Sequence, residues 1–114
     1  MITIKDEEKA VFCETRQKEI CPKFEQTFDI LGKKWMGLII DVLLEGPQRF
    51  KNIAATIPNV SDRVLVERLK ELEQEGLVSR TVDPDAAMRV AYSLTEKGQA
   101  LKVVMDDVQK WADE

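Results

Sequence analysis

The clearest helical pattern in the chain lies between Ser61 and Gly76. Three leucines recur there at the spacing of one helix face, so this side is predicted to be buried: Leu65, Leu69 and Leu72. Ser61 suits the N-cap, because its hydroxyl can accept a hydrogen bond from an unpaired backbone N–H. Gly76 suits the other end, because it can adopt the left-handed conformation that closes a helix. The segment therefore predicts one helix with defined ends.

The other side of this helix is polar and has a cation near its N-terminal end. A DNA recognition helix needs this arrangement, since its apolar stripe holds it to the domain while its first turns enter a groove. An ordinary amphipathic surface helix has the same pattern, so the segment alone leaves both interpretations open. The candidate DNA-binding residues of this helix are Ser61, Asp62, Arg63, Val66, Glu67 and Lys70.

Two helices are predicted before residue 32. Residues 5–19 form a segment with a thin apolar stripe, which needs a partner surface in its own chain or in a second subunit. The pair Cys21-Pro22 then marks a new start, because proline is favoured at the first helical position and leaves Cys21 as the N-cap. Phe24, Phe28 and Leu31 follow at helical spacing before Gly32.

Two more helices are predicted between residues 33 and 57. Residues 33–44 have the broad apolar face of a central core helix, formed by Trp35, Leu38, Ile39, Val42 and Leu43. Residues 50–57 predict a short helix whose apolar side chains face the core: Phe50, Ile53, Ala54 and Ile57. A tight connection at residues 58–60 joins this short helix to the one that begins at Ser61. Two helices joined in this way predict a helix-turn-helix.

The pattern changes period after Gly76. Residues 77–82 and 89–94 are strand-like, and residues 83–88 between them predict a loop, so the helix-turn-helix is followed by one hairpin, a wing. Thr95 can cap a last helix with a long apolar stripe. This stripe is expected either to form a dimer interface or to pack on its own domain. The residues expected at a dimer interface are Leu101, Val104, Val108 and Trp111.

The order of these elements predicts a mostly α fold with a small β-hairpin wing, a winged helix-turn-helix that dimerises through its terminal helices. Residues 1–20 are expected to form an N-terminal extension, and residues 21–114 the winged domain with its dimerisation helix. A helical domain without a DNA-binding role is the alternative. The order of the elements favours DNA binding more strongly than any single element does.

Composition narrows the function. The chain has 114 residues, no histidine and two cysteines, so His-based catalysis and His-based zinc sites are excluded, and two cysteines alone cannot complete a structural zinc site. We expect no enzyme activity, no cofactor and no metal. No apolar run approaches the length of a membrane span, and the N-terminus has no signal-peptide core. A cytoplasmic protein with reduced cysteines is therefore expected.

The charge argues mildly against a general nucleic-acid binder, since the formal net charge is −4 and such binders are usually basic. The charge is uneven, however. Acidic residues exceed basic ones before Ile30, whereas cations slightly outnumber anions from Ile30 to Val82. The middle of the chain is thus the better candidate for a surface that faces phosphate. The phosphate-contact candidates outside the recognition helix are Lys51, Arg80 and Arg89.

Four segments, in order, resemble the HxlR family of bacterial transcription regulators: CPKFEQTFDILGKKW, LLEGPQRFKNI, RLKELEQEGLVSR and YSLTEKG. The first is similar to the redox- and quinone-sensing branch that contains YodB and QsrR. The resemblance runs from Cys21 to about Trp111. It implies a dimeric winged-helix repressor of MarR-like fold, and it implies that Cys21, the cysteine of the CP pair, is the sensor.

The local chemistry agrees with that role for Cys21. A thiol at a helix N-cap faces unpaired N–H groups and the positive end of the helix dipole, which stabilise the reactive thiolate. Cys13, in an extension longer than that branch leads one to expect, is a candidate to resolve an oxidised Cys21 within one chain or across a dimer. The alternative is that both cysteines are inert and partly buried. The wing tip also departs from the family, because Ala86, Ala87 and Met88 replace its usual prolines.

These features together predict a homodimeric repressor that binds an inverted-repeat operator in double-stranded DNA and is switched when a quinone, another small electrophile or disulfide stress modifies Cys21. One alternative keeps DNA binding but makes the effector a non-covalent ligand at the dimer interface. Another is a winged helix that serves as a protein-interaction module, which the acidic isoelectric point near 5.0 would suit.

Overall fold

A computed structural model describes residues 19–86 and 89–114. The predicted helix at residues 5–19 lies outside this range except for its last residue, as does Cys13. The helices are α1 (Pro22–Leu31), α2 (Met36–Leu43), α3 (Phe50–Thr56), α4 (Asp62–Gln74), α5 (Glu96–Gln99) and α6 (Lys102–Ala112). The strands are β1 (Gln48–Arg49), β2 (Val78–Asp83) and β3 (Arg89–Leu94). The mostly α winged helix-turn-helix is confirmed.

The wing is larger than the single hairpin that the sequence predicts. Strands β2 and β3 form the expected antiparallel hairpin, in register from Val78 opposite Leu94 to Asp83 opposite Arg89. Strand β1 adds to the free side of β3, which gives an antiparallel sheet in the order β1-β3-β2. A strand of two residues is too short to show a period of two, which is why the sequence pattern missed it.

The core is one apolar cluster shared by the helices and the base of the wing. Helix α4 contributes Leu65, Leu69 and Leu72, as predicted, and all three are fully buried. Its ends also agree with the prediction, since Ser61 is the N-cap and Gly76 has a φ of +77°. Strands β2 and β3 close the cluster with residues such as Val78 and Leu94. Burying a leucine side chain stabilises a fold by about 1.5–3 kcal/mol, so this stripe anchors α4 firmly.

The central helix begins later than predicted and buries a different stripe. It starts at Met36 instead of Lys33, and its buried face consists of Met36, Ile39, Ile40 and Leu43. Leu38, which was expected inside, is 52% exposed. Residues 32–35, the linker between α1 and α2, form turns, and Trp35 has a φ of +76°. A side chain other than glycine in this left-handed region costs about 1–3 kcal/mol, so the surrounding packing holds this residue in place.

The predicted last helix is broken in two. Thr95 caps α5 as expected, because its Oγ1 accepts a hydrogen bond from Gly98 N at 3.2 Å. The same Oγ1 donates to Gly76 O at 2.5 Å, which ties the end of α4 to the start of α5. Gly98 is required here, since an added Cβ would overlap the Leu77 carbonyl. The chain turns at residues 100–101 before α6 begins.

Both terminal helices of the described range leave apolar side chains in solvent. Neither α1 nor α6 contains a buried residue. On α1, the rings of Phe24 and Phe28 lie 4.9 Å apart between centroids and are exposed. On α6, Trp111 is 77% exposed. Within residues 19–86 and 89–114, no helix has the length and apolar character to cross a membrane.

Candidate DNA interface and cysteine site

Helices α3 and α4 form the helix-turn-helix, and the cap at Ser61 sets where α4 begins. Ser61 Oγ accepts a hydrogen bond from Val64 N at 3.2 Å, and the Ser61 carbonyl accepts one from Leu65 N at 2.9 Å. The cap satisfies one of the backbone N–H groups that a helix start leaves unpaired. The first turn of α4 is thereby fixed, and it is the turn that a recognition helix would direct at base edges.

The outward face of α4 carries the predicted DNA-binding residues together. Five of them are exposed: Asp62, Arg63, Val66, Glu67 and Lys70. At helical spacing, Arg63, Glu67 and Lys70 lie opposite the leucine stripe, and Asp62 and Val66 lie towards one edge of it. The two cations on this face are balanced by two carboxylates. The face therefore offers little general attraction to phosphate and is better suited to reading base edges, because hydrogen bonds and apolar contacts in the groove carry the sequence information.

Further cations lie at the start of α3. Lys51 is exposed in its first turn, as the prediction requires. Arg49, the N-cap residue of α3 and the last residue of β1, is exposed beside it. The sequence counted Arg49 only among the cations of the middle region, and the unpredicted strand β1 explains why it was not singled out. Arg49 and Lys51 form a small basic surface next to the helix-turn-helix.

The two predicted wing arginines lie on opposite faces of the sheet. Arg80 is opposite Tyr92 in the register, whereas Arg89 is opposite Asp83. Since side chains alternate between faces along a strand, the even positions of β2 and β3 share one face and the odd positions the other. One flat DNA surface therefore meets only one of the two arginines. Contact by both requires a wing that enters a groove with phosphate on each side.

Acidic residues dominate the tip of the wing. Asp83 Oδ1 accepts a hydrogen bond from Asp85 N at 3.0 Å, which forms a local turn at the end of β2. Both carboxylates are exposed, and Asp83 is opposite Arg89 in the strand register. These carboxylates make this part of the wing poorly suited to contact phosphate.

Two residues of α4 that the sequence assigned no specific role hold the helix to the linker between α1 and α2. Lys33 Nζ donates to Glu71 Oε2 at 2.7 Å, and Arg68 Nη1 donates to Glu71 Oε1 at 3.1 Å. Arg68 Nε also donates to the Lys34 carbonyl at 3.0 Å. We call this set the ion-pair clamp: Lys33, Lys34, Arg68 and Glu71.

The clamp lowers the pKa of the Glu71 carboxyl group, and it engages two cations that would otherwise be available to contact DNA. The hydrogen bond from Lys33, together with the charges of Lys33 and Arg68, lowers the pKa of Glu71 from its ordinary 4.5, although partial burial opposes the shift. Lys33 and Arg68 thus serve an internal contact. The sequence analysis counted both among the cations of a phosphate-facing region, because no local pattern links residues that are 34 and 38 positions apart.

Cys21 lies at the N-cap of α1, as predicted, and is exposed. Its carbonyl accepts a hydrogen bond from Glu25 N at 3.0 Å, and Pro22 follows at the first helical position. The thiol makes no hydrogen bond to the helix amides, so the direct cap bond suggested by the sequence is absent. The exposed thiol is open to a reagent from solution. Cys13, its suggested partner, lies outside the described residues.

A groove opens between α1 and the start of α6. It has a volume of about 440 Å³. Its apolar wall includes Ile30, Leu31, Leu77 and Leu101, and its rim carries charged side chains, among them Lys23 and Lys97. Lys23 is two residues from Cys21, so the groove begins near the candidate sensor.

The residues expected at a dimer interface separate into two groups. Leu101 is half-buried and packs against its own core. Val104, Val108 and Trp111 are exposed along α6. Ile20, Phe24 and Phe28 add an exposed apolar group at α1.

Comparison with known proteins links this architecture to bacterial regulators. A family model described as HxlR-like helix-turn-helix matches residues 30–114. The HTH-type transcriptional regulator YodB of Bacillus subtilis (strain 168) is 55% identical to the chain over 95 residues, which cover 83% of this chain and 85% of YodB.

Solved structures give the same result. The reduced form of the transcriptional regulator YodB from B. subtilis superposes with a TM-score of 0.77 at 55% identity, covering 83% of this chain and 93% of that one. Quinone-bound YodB gives 0.74 at 54% identity, with coverages of 82% and 98%. A MarR-family regulator from Porphyromonas gingivalis W83 gives 0.77 at 30% identity, with coverages of 87% and 96%. The MarR-like fold is thus confirmed.

The depressed pKa of Glu71 predicts how the clamp responds to acid. A carboxylate with a lowered folded-state pKa contributes stability above its unfolded pKa and loses it as pH falls through the folded value. The difference in melting temperature between wild type and Glu71→Gln should be constant above about pH 5.5 and should shrink as pH falls through and below 4.5. Thermal unfolding followed by circular dichroism from pH 7 to pH 3 measures it. A difference that grows in acid would contradict the assignment.

Proposed function

Because the chain belongs to the HxlR-like helix-turn-helix family and is a transcriptional regulator, we propose that it is a homodimeric repressor that binds an inverted-repeat operator and is released when Cys21 is modified. The observation that carries the proposal is the pairing of an exposed polar face on α4 with an exposed cysteine at the start of α1. The first supplies sequence reading and the second supplies the switch.

DNA reading is assigned to the outward face of α4 in the major groove. Arg63 is the expected base reader, since a guanidinium can bond bidentately to guanine. Val66, which is 39% exposed between Arg63 and Lys70, offers an apolar surface to a base. Ser61 and Asp62 flank these readers at the helix start, and Glu67 accepts from bases and repels phosphate.

The phosphate contacts are assigned to cations around this face. Lys70, Lys51, Arg80 and Arg89 would position the protein without selecting a sequence. Arg49 joins them, because it is exposed next to Lys51. The near balance of charge on α4 means that these surrounding cations supply most of the salt-dependent affinity.

Dimerisation is assigned to the exposed apolar faces of the terminal helices. Such faces on a helix of an isolated subunit typically mark an interface, and a two-fold dimer matches an inverted-repeat operator. Val104, Val108 and Trp111 form the central contact, and Leu101 supports it from the core side.

The switch is assigned to Cys21. A thiolate there adds to a ring carbon of a quinone and forms a C–S bond, while the electron pair of the C=C bond moves to a quinone oxygen, which takes a proton from solvent. The ring carbon that bears sulfur then loses its proton, the second oxygen gains one, and the product is a hydroquinone thioether. Under disulfide stress, Cys21 and Cys13 would instead lose two electrons and two protons to an oxidant such as diamide and form a disulfide. YodB, which is known in reduced and quinone-bound forms, makes this chemistry reasonable for the chain.

A second candidate keeps the operator but uses a non-covalent effector. The groove of about 440 Å³ beside α1 has apolar walls and a rim that carries Lys23, Lys97 and Glu75, so it suits a small aromatic ligand with polar substituents. Such a ligand would act on the same helix that Cys21 begins, without forming a bond to it.

Base reading by Arg63 has a specific consequence. Arg63→Ala should cost about 1–3 kcal/mol on the cognate duplex and relax preference at one base position. Lys51→Ala should weaken matched and mismatched duplexes about equally, because a phosphate contact carries no sequence information. Fluorescence anisotropy titrations on both duplexes measure the difference. Equal losses for Arg63→Ala on the two duplexes would remove it as a reader.

Burial of α6 between subunits has another consequence. Trp111→Asp should convert the dimer to a monomer at micromolar concentration, because it puts a charge into an apolar contact, and operator affinity should fall with it. Sedimentation velocity measures the mass. Lys110→Asp, which also adds an acidic residue to α6 next to the stripe, is the control and should leave the dimer largely intact. An unchanged mass for Trp111→Asp would mean that the interface lies elsewhere.

The switch predicts different responses from three proteins. Benzoquinone and diamide should both release wild type from its operator, whereas Cys21→Ser should bind and ignore both. Cys13→Ser should keep the quinone response and lose the diamide response if diamide acts through a disulfide. Mobility-shift titrations, with mass spectrometry to locate the adduct, measure these outcomes. Full release of Cys21→Ser by benzoquinone would refute Cys21 as the sensor and favour Cys13 or the groove.

A further inference from the structure

We infer that the ion-pair clamp transmits a change at Cys21 to the recognition helix, with Glu71 as the residue that couples the linker between α1 and α2 to α4. The inference rests on the proposed function, since it assigns a path from the proposed sensor to the proposed reading face. It makes Lys33, Arg68 and Glu71 positioning residues.

The clamp joins two segments that are far apart in sequence. Glu71 lies on α4, one residue beyond Lys70 of the outward face. One of its carboxylate oxygens pairs with Lys33 of the linker, and the other pairs with Arg68 of its own helix. Arg68 also holds the Lys34 carbonyl at 3.0 Å. Two consecutive linker residues therefore bond to α4: Lys33 through its side chain and Lys34 through its backbone carbonyl.

The clamp is partly shielded from solvent on the side of α4. The side chains of Arg68 and Glu71 are 19% and 31% exposed, whereas that of Lys33 is 40% exposed. Ion pairs in full contact with solvent contribute little, but a half-buried arginine that bonds both a carboxylate and a carbonyl is held in one geometry. The contact thus fixes the distance between linker and helix.

The linker itself has little freedom to absorb a movement. Gly32 N donates to Phe28 O at 2.8 Å, Lys33 N to Ile30 O at 3.2 Å and Met36 N to Lys33 O at 3.1 Å. Trp35 is held in the left-handed region, and Lys34 Nζ lies 5.0 Å from the centroid of its ring. Because these contacts restrict the linker, we expect a displacement of α1 to move the linker as well.

Among the described residues, helix α1 contacts the core at its C-terminal end and carries Cys21 at its N-terminal end. Within the part of the chain that the structure describes, only its last two residues, Ile30 and Leu31, pack against the core, and no residue of the helix is fully buried. Ten helical residues span about 15 Å, so an adduct at Cys21 acts at the far end of a lever whose attached end is the linker. Because the clamp binds that end to α4, tilting of α1 reorients the reading face.

The experiment measures the coupling between adduct formation at Cys21 and DNA binding, and not only the affinity for DNA. The probe is a duplex selected from random DNA by the wild-type protein, and the reagent is benzoquinone at one equivalent per Cys21. The quantity is the ratio of dissociation constants with and without the adduct. Allosteric couplings typically span about 5–150-fold. The ratio for wild type should lie in this range, and the ratios for Glu71→Gln and Lys33→Met should fall to about threefold or less.

Glu73→Gln is the matched control. It removes the same charge from an exposed position two residues further along α4 that makes no ion pair within the described part of the chain. Its ratio should equal that of wild type. Melting temperatures of all variants verify that each is folded. A purely structural role for Glu71 would lower affinity with and without the adduct equally and leave the ratio unchanged.

Hydrogen exchange in the absence of DNA gives a second readout. Adduct formation at Cys21 should change exchange of the α4 amides in wild type and in Glu73→Gln but not in Glu71→Gln. If Glu71→Gln keeps the wild-type ratio and the wild-type exchange response, the inference is overturned while the switch stands. If wild type itself shows neither release nor an exchange response on forming the adduct, the proposed switch fails and the inference fails with it.

Discussion

The structure depends on the burial of one leucine stripe on α4. Because Leu65, Leu69 and Leu72 enter the same core as the apolar face of α2, α4 cannot turn about its own axis, and its polar residues must face outward. The cap at Ser61 and the left-handed Gly76 fix where this helix begins and ends. The outward position of the proposed reading face therefore depends on apolar contacts on the reverse side of the same helix.

The sequence predicted the features that repeat locally. The leucine stripe, the caps at Ser61 and Thr95, the start of α1 at Cys21 and the hairpin are all visible in spacing and residue type. The late start of α2 was not, because Trp35 in a left-handed conformation is imposed by packing and not by local preference. Leu38 was assigned to the core because the helix was predicted to begin at residue 33. The face that is buried instead contains Met36, Ile39, Ile40 and Leu43.

The candidate site was predicted in part for a related reason. The outward residues of α4 follow from its period, and Lys51 follows from its place in α3. The opposite orientations of Arg80 and Arg89 follow from the strand register, which a sequence fixes only when the turn is known. The clamp could not be predicted, since the contact between Lys33 and Glu71 spans 38 positions. A count of cations therefore overstated the charge available to DNA.

The exposed apolar faces of α1 and α6 also bear on how the protein survives in a cell. A partner that covers such faces binds only the folded chain, so by mass action it raises the free energy of unfolding as its concentration rises. When that partner is a second copy, abundance and stability rise together. A regulator of this kind is most easily degraded when it is scarce, and it persists once enough copies have accumulated to protect one another.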